Sequence, residues 1–98
     1  MLKHNTYFDE RVQSVGFERN GRKATVGVIA PGEYRFNTAA AERMSVVSGQ
    51  LRARIGAGAN VGDWQYFPAG TNFEVPANSG FDVQPIGGPA AYLCEFLG

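Results

Sequence analysis

Few side chains in this sequence are suited to demanding chemistry, and their types narrow the choice at once. There is one histidine, His4, and one cysteine, Cys94. A single cysteine excludes an intrachain disulfide framework and a cysteine-rich zinc site. A single histidine removes histidine cages for a metal ion and argues against a Ser-His-Asp triad. His4 is close to the start of the chain and is expected to fray with the terminus. Cys94 follows Leu93 in an alternating apolar run with no basic partner near, which reads as a buried, inert thiol rather than a nucleophile. The stretch from Gly56 to Gly62 is rich in glycine, but no lysine follows it and no helix begins there. It is expected to be a hairpin loop and not a phosphate cradle. Arg52 and Arg54 share one strand face, as on an outer sheet surface or a dimer edge, and Arg35 and Arg43 are expected to point outward.

The elements that must position any site are legible from length and punctuation. The chain has 98 residues, enough for one domain over residues 1–98, and 44% hydrophobic against 18% charged residues suffices for a core. Nine basic and nine acidic side chains cancel, so there is no broad cationic footprint for nucleic acid or an anionic membrane. No apolar run approaches the roughly 20 residues that span a bilayer. Residues Met1 to Asn5 lack the apolar segment of a secretory signal, so a cytoplasmic location is expected. Thirteen glycines and five prolines divide the chain into short runs rich in Val, Phe, Tyr and Thr. These runs are Lys23–Ala30, Glu33–Thr38, Arg43–Val47, Gln50–Ile55, Trp64–Phe67, Asn72–Val75, Gly80–Gln84 and Ala90–Leu97. Period-two alternation places Met44, Val46 and Ser48 together, then Leu51, Ala53 and Ile55, then Tyr92, Cys94 and Phe96. Such alternation between closely spaced breakers predicts an all-β sandwich or barrel. The segment Ala39-Ala40-Ala41-Glu42 offers the one plausible helical turn.

Two spacings resemble the paired motifs of the cupins with the metal ligands removed. Glu42 and Gly49 keep the Glu-x6-Gly part of the first motif, after Gly32, while its histidine positions fall on Phe36 and Thr38. Gly70-x5-Pro76 keeps part of the second, with Asn78 in a glycine slot and Phe81 in the histidine slot. A competing register, Gly62-x5-Pro68-x-Gly70, puts Phe73 there instead. Either way, a lone carboxylate is a poor holder for a transition metal. A longer series of short matches runs in order along nearly the whole chain. It includes Val12 to Phe17, Gly21-Arg22, Val26-Gly27-Val28, Gly32 to Thr38, Met44 to Gly49, Asp63-Trp64-Gln65, Phe73 to Pro76 and Tyr92-Leu93-Cys94. On these residues the sequence resembles the pyrimidine/purine nucleoside phosphorylase family of small cupins.

That resemblance implies a single cupin-like jelly-roll barrel, a homodimer, and an enzyme of the pentosyltransferase type with broad specificity. It would cleave purine and pyrimidine nucleosides with inorganic phosphate as co-substrate, releasing free base and ribose 1-phosphate, with no metal or other cofactor. Phosphorolysis passes through an oxocarbenium-like sugar, so it calls for acceptors at the ribose hydroxyls, a grip on phosphate and a wall for the base. Glu42, where a cupin directs a carboxylate into its cup, and Thr38, at a former metal-ligand position, are the catalytic candidates. Arg22, matching the family's Gly-Arg pair, offers a forked guanidinium for phosphate. Tyr34, Phe36, Phe73, Phe81 and Tyr92 are candidates for stacking the base. Two other readings stand beside this one: a non-catalytic module that binds a sugar or nucleoside, and a metal-dependent cupin oxygenase or isomerase, which the missing histidines disfavour.

Overall fold

The computed structural model describes residues 2–98. Ten strands run through the described residues: β1 (Lys3–Tyr7), β2 (Val12–Arg19), β3 (Arg22–Ile29), β4 (Tyr34–Asn37), β5 (Glu42–Ser48), β6 (Gln50–Ile55), β7 (Gln65–Pro68), β8 (Asn72–Val75), β9 (Gly80–Pro85) and β10 (Ala90–Phe96). They form two antiparallel sheets, six strands in the order β1-β2-β3-β10-β5-β8 and four in the order β4-β9-β6-β7. The barrel expected from sequence therefore takes the form of two facing sheets, each with its own hydrogen-bond ladder. Their inner faces share one core: Val12, Ile29, Met44, Val46, Phe73 and Val75 from the large sheet meet Tyr34, Leu51, Ala53, Phe81 and Val83 from the small one. This is the aligned, interdigitating contact expected where one face of each sheet is apolar.

Turn chemistry sets the registers. Asn20 (φ 53°) and Gly21 (φ 75°) are both left-handed, as a two-residue hairpin of the Asn-Gly kind requires, and they pair Arg19 with Arg22. The Gly56–Gly62 segment is the expected hairpin loop between β6 and β7, tightened by a 3-10 turn over Gly58–Asn60. In β5 one extra residue, Val47, bulges out where Ala91 and Tyr92 pair with Ser48 and Val46. The bulge turns Ser48 out of the buried stripe that begins with Met44 and Val46.

Two expectations are corrected. His4 does not fray: it lies in β1, paired with Val15 of β2, and its Nε2 is 3.1 Å from the Gln13 side-chain oxygen. Residues 39–41 form no helical turn, because neighbours claim their backbone. The Ala39 carbonyl accepts from the Asn78 amide at 3.2 Å, and the Ala41 carbonyl accepts from Leu97 at 2.8 Å. Among the described residues no helix is long and apolar enough to cross a membrane.

Candidate functional site

A core between two sheets should be lined by apolar side chains, and departures from that rule mark a site. On the inner face of the large sheet, five polar side chains stand where alternation calls for apolar ones: Ser14, Thr25, Glu42, Tyr92 and Cys94. They border a cavity of about 270 Å³, just below the range of about 300–1,000 Å³ usual for small-molecule pockets. The facing wall is aromatic. Phe36 and Phe81 are direct cross-strand partners on β4 and β9, stacked with ring centres 5.6 Å apart and planes 24° from parallel. Tyr7, from the end of β1, meets the Phe36 edge at 6.0 Å. The cavity thus has a hydrogen-bonding wall and a flat apolar wall.

The polar wall is a linked set rather than scattered groups. The Cys94 thiol donates to Glu42 Oε1 at 3.4 Å. Burial raises the Glu42 carboxyl above its ordinary value of 4.5, and the thiol partly offsets this. Burial, then the neighbouring Glu42 carboxylate, pushes the Cys94 thiol far above its ordinary range, which fits the expected inert cysteine. The Tyr92 phenol is pushed up to about 12, chiefly by burial and then by Cys94, while the Ser14 and Thr25 hydroxyls facing it pull the other way. Tyr92 lies flat over Gly27, where a Cβ would come within 2.5 Å of its hydroxyl and 2.6–2.7 Å of its ring. Only glycine leaves room for that ring.

Of the residues singled out by sequence, the fold brings Glu42, Phe36, Phe81 and Tyr92 to this cavity. The other four lie elsewhere. Thr38 is buried, and its hydroxyl is already committed: it donates to the Pro76 carbonyl at 2.7 Å and accepts from the Ser79 amide at 3.0 Å. Tyr34 is buried with its hydroxyl on the carbonyls of Ala30 and Pro31, at 2.8 and 3.1 Å. Phe73 packs in the core against Phe67 and Phe81, at 4.6 and 5.7 Å. Arg22 is exposed and shares the face of Ala24, Val26 and Val28, the face turned away from the cavity. Arg52 and Arg54 lie on the outer face of the small sheet, stacked over Trp64 at 4.2 and 4.7 Å, with Arg54 bound to Asp82 at 2.7 Å. Reasoning from sequence missed Ser14, Thr25 and Tyr7. The available signal was phase, since Ser14 follows buried Val12 at the inward spacing of two.

Among the described residues, no three His, Cys, Asp or Glu side chains converge as metal ligands. Two of the positions where a cupin would carry histidines hold Phe36 and Phe81, whose rings supply no donor atom. The fold nevertheless matches cupin-like proteins, one of them described with Fe(II). The hydroxypropylphosphonic acid epoxidase from S. wedmorenis superposes with a TM-score of 0.80 over 98% of this chain and 55% of that one, at 13% identity. At that identity the likeness speaks for the fold alone. A crystal structure of a protein of unknown function from Vibrio parahaemolyticus agrees far more closely, with a TM-score of 0.88 at 44% identity over 99% of both chains. A pyrimidine/purine nucleoside phosphorylase from Anaeromyxobacter sp. (strain Fw109-5) is 62% identical over 97 residues, covering 99% of this chain and 89% of that one. The sequence model of that family, described as pyrimidine/purine nucleoside phosphorylase, matches residues 2–96. A match of that extent, on a cupin-like frame whose histidine positions carry phenylalanines, places this chain in the pyrimidine/purine nucleoside phosphorylase family.

Proposed function

We propose that this protein cleaves nucleosides by phosphorolysis. The observation that carries the reading is the pairing of Glu42 with the stacked Phe36–Phe81 wall across one small cavity, in a chain of this family. The base lies against the phenylalanine rings, which offer a π-face and no hydrogen-bonding edge. Purines and pyrimidines are accommodated alike for that reason. The Glu42 carboxylate accepts from the ribose hydroxyls and stabilises the positive charge that develops at C1′. A phosphate oxygen attacks C1′ and the C1′–N bond breaks. The electron pair leaves with the base, which takes a proton from phosphate or solvent, and ribose 1-phosphate remains. In this reading the chemistry needs no metal ion, because stacking and the carboxylate do the positioning.

A second reading has one observation in its favour: no Lys, Arg or His side chain lines the cavity among the described residues. A module that only binds a neutral nucleoside or sugar would need none. Incubation with uridine or adenosine, with and without phosphate, separates the two by chromatography of the products. Free base and ribose 1-phosphate formed only with phosphate, and undiminished by a chelator, is the expected result. Tight binding without release gives the module, and release without phosphate overturns both. We also propose a cytoplasmic homodimer. Val15, Val26 and Val28 leave an exposed apolar patch on the outer face of the large sheet, and a monomer at micromolar concentration by light scattering would refute a pairing there.

A further inference from the structure

Read as a nucleoside site, the cavity offers phosphate the hydroxyl and amide donors of Ser14, Thr25 and Asn37 but no positive charge. Its one carboxylate among the described residues, Glu42, repels an anion, and no Lys, Arg or His side chain lines it. We propose that Lys23, at the cavity mouth, is the residue that holds the phosphate co-substrate. This inference rests on the reading of the cavity as a nucleoside site.

Strand phase carries the argument. Lys23, Thr25, Gly27 and Ile29 share one face of β3, while Arg22, Ala24, Val26 and Val28 share the other. Thr25 and Ile29 line the cavity, and Tyr92 covers Gly27 from that side, so the Lys23 face is the cavity face. Along the large-sheet wall exposure rises from buried Ile29, Ser14, Tyr92 and Cys94 to half-buried Thr25, Glu42 and Phe96, while the exposed lining residues Tyr7 and Asn37 come from β1 and β4. One opening is therefore at the Thr25 end, and Lys23 is the next residue of that face beyond it. Two residues of strand cover about 6.6–6.8 Å, a gap that the flexible four-carbon stem of lysine bridges with its ammonium as a point charge.

The competing cations are engaged or misplaced. Arg35 and Arg54 are bound to Asp82, and Arg43 to Glu74 and Glu95, whereas Lys23, opposite Glu18 in the β2–β3 ladder, makes no ion pair among the described residues. Arg19 and Arg22 border, together with Lys23, a second shallow hollow at the hairpin tip, but they lie on the outer phase of their strands. They add positive field there without reaching into the cavity.

The test combines steady-state kinetics with direct binding of inorganic phosphate, followed by phosphorus NMR on protein saturated with a nucleoside. Lys23→Gln is expected to raise the KM for phosphate about 10- to 100-fold, as loss of one charge-assisted contact does. It should leave the nucleoside KM and the urea midpoint unchanged. Lys23→Arg should restore the phosphate KM to within a few-fold, and Arg19→Gln should leave it unchanged. An unaltered phosphate KM in Lys23→Gln, or an equal rise in Arg19→Gln, overturns the proposal. The NMR arm keeps the two failures apart. Phosphate bound by the wild type and lost in Lys23→Gln upholds the site even if nucleosides are not cleaved. Wild-type protein that binds no phosphate, or Lys23→Gln protein that binds it equally well, removes Lys23 whatever the cavity does.

Discussion

Replacing Glu42 by glutamine isolates the charge of the one carboxylate among the described residues of the cavity while keeping its shape. The glutamine oxygen can still accept from the Cys94 thiol that now donates to Glu42 at 3.4 Å. The loss is the negative charge beside the developing oxocarbenium ion. Two unit charges about 4 Å apart interact by roughly 4 kcal/mol at an effective dielectric of about 20. Glu42 is half-buried, so solvent screening reduces the figure to about 2–3 kcal/mol, or roughly a 30- to 150-fold lower kcat. Stability should move the other way. Burial raises the Glu42 carboxyl above 4.5, so just above pH 4.5 the native state holds a proton that the unfolded chain has released. Native stability therefore falls as pH rises through that window and stays reduced above it. Glutamine carries no charge to desolvate, so the variant should melt at or above the wild-type temperature at pH 7, with the advantage gone at pH 4. The proposed role of Glu42 predicts an acid limb in the wild-type kcat profile that should flatten in the variant. Steady-state rates with uridine and inosine from pH 4 to 8, beside matched melting curves, read all of this. A rate within threefold of wild type, or a loss of stability at neutral pH, would refute the reasoning.

Gly27→Ala would drive a Cβ into the Tyr92 ring at 2.5–2.7 Å; it should cost about 1–3 kcal/mol by urea unfolding and lower activity by displacing a cavity wall. Thr38→Val removes a hydroxyl that satisfies both the Pro76 carbonyl and the Ser79 amide. It should cost about 1–3 kcal/mol of stability with the nucleoside KM unchanged, and a selective fall in kcat would return Thr38 to the chemistry. Cys94 should resist a thiol-specific disulfide reagent in native protein at pH 8 and react at once in urea, because burial and the Glu42 carboxylate hold its proton. Above about pH 9 the unfolded chain releases that proton while the native state keeps it, so stability should decline there.

Strands from β3 onward were legible because breakers bound each run and alternation shows within it. β1 was not, since Lys3-His4-Asn5-Thr6-Tyr7 is an edge strand with little apolar face, held by its ladder to β2. β2 escaped for a more informative reason. Its inward positions, Val12, Ser14 and Gly16, carry a polar and a vanishing side chain where a core strand should be apolar. The pattern failed where the polar-walled cavity breaks into the core, at a departure of the kind expected of candidate sites. The helical turn at 39–41 failed through tertiary demand, because its carbonyls are taken by Asn78 and Leu97.

Within the candidate site, residue type and strand phase gave different answers, and the difference is one residue. Type and the Gly-Arg resemblance selected Arg22, whose fork suits phosphate. The Asn20-Gly21 hairpin fixes the β2–β3 register, and in that register Arg22 faces away from the cavity while Lys23 shares the face of Thr25. A shift of one residue along a strand exchanges its two faces entirely, so no property of the arginine could compensate for its phase. The same rule sorts the aromatics. Tyr34 and Phe36 share a face, yet only Phe36 lies against Phe81 at the cavity, while Tyr34 spends its hydroxyl on the carbonyls of Ala30 and Pro31. Thr38 would continue that face, but β4 ends at Asn37 and the chain turns before the hydroxyl can be presented. Phase says which side of a sheet a residue occupies, and strand length says whether the position still belongs to the sheet. Glu42, first in β5 and paired with Phe96 at the end of β10, satisfies both, which is why the carboxylate chosen from the sequence is the one the fold brings into the cavity.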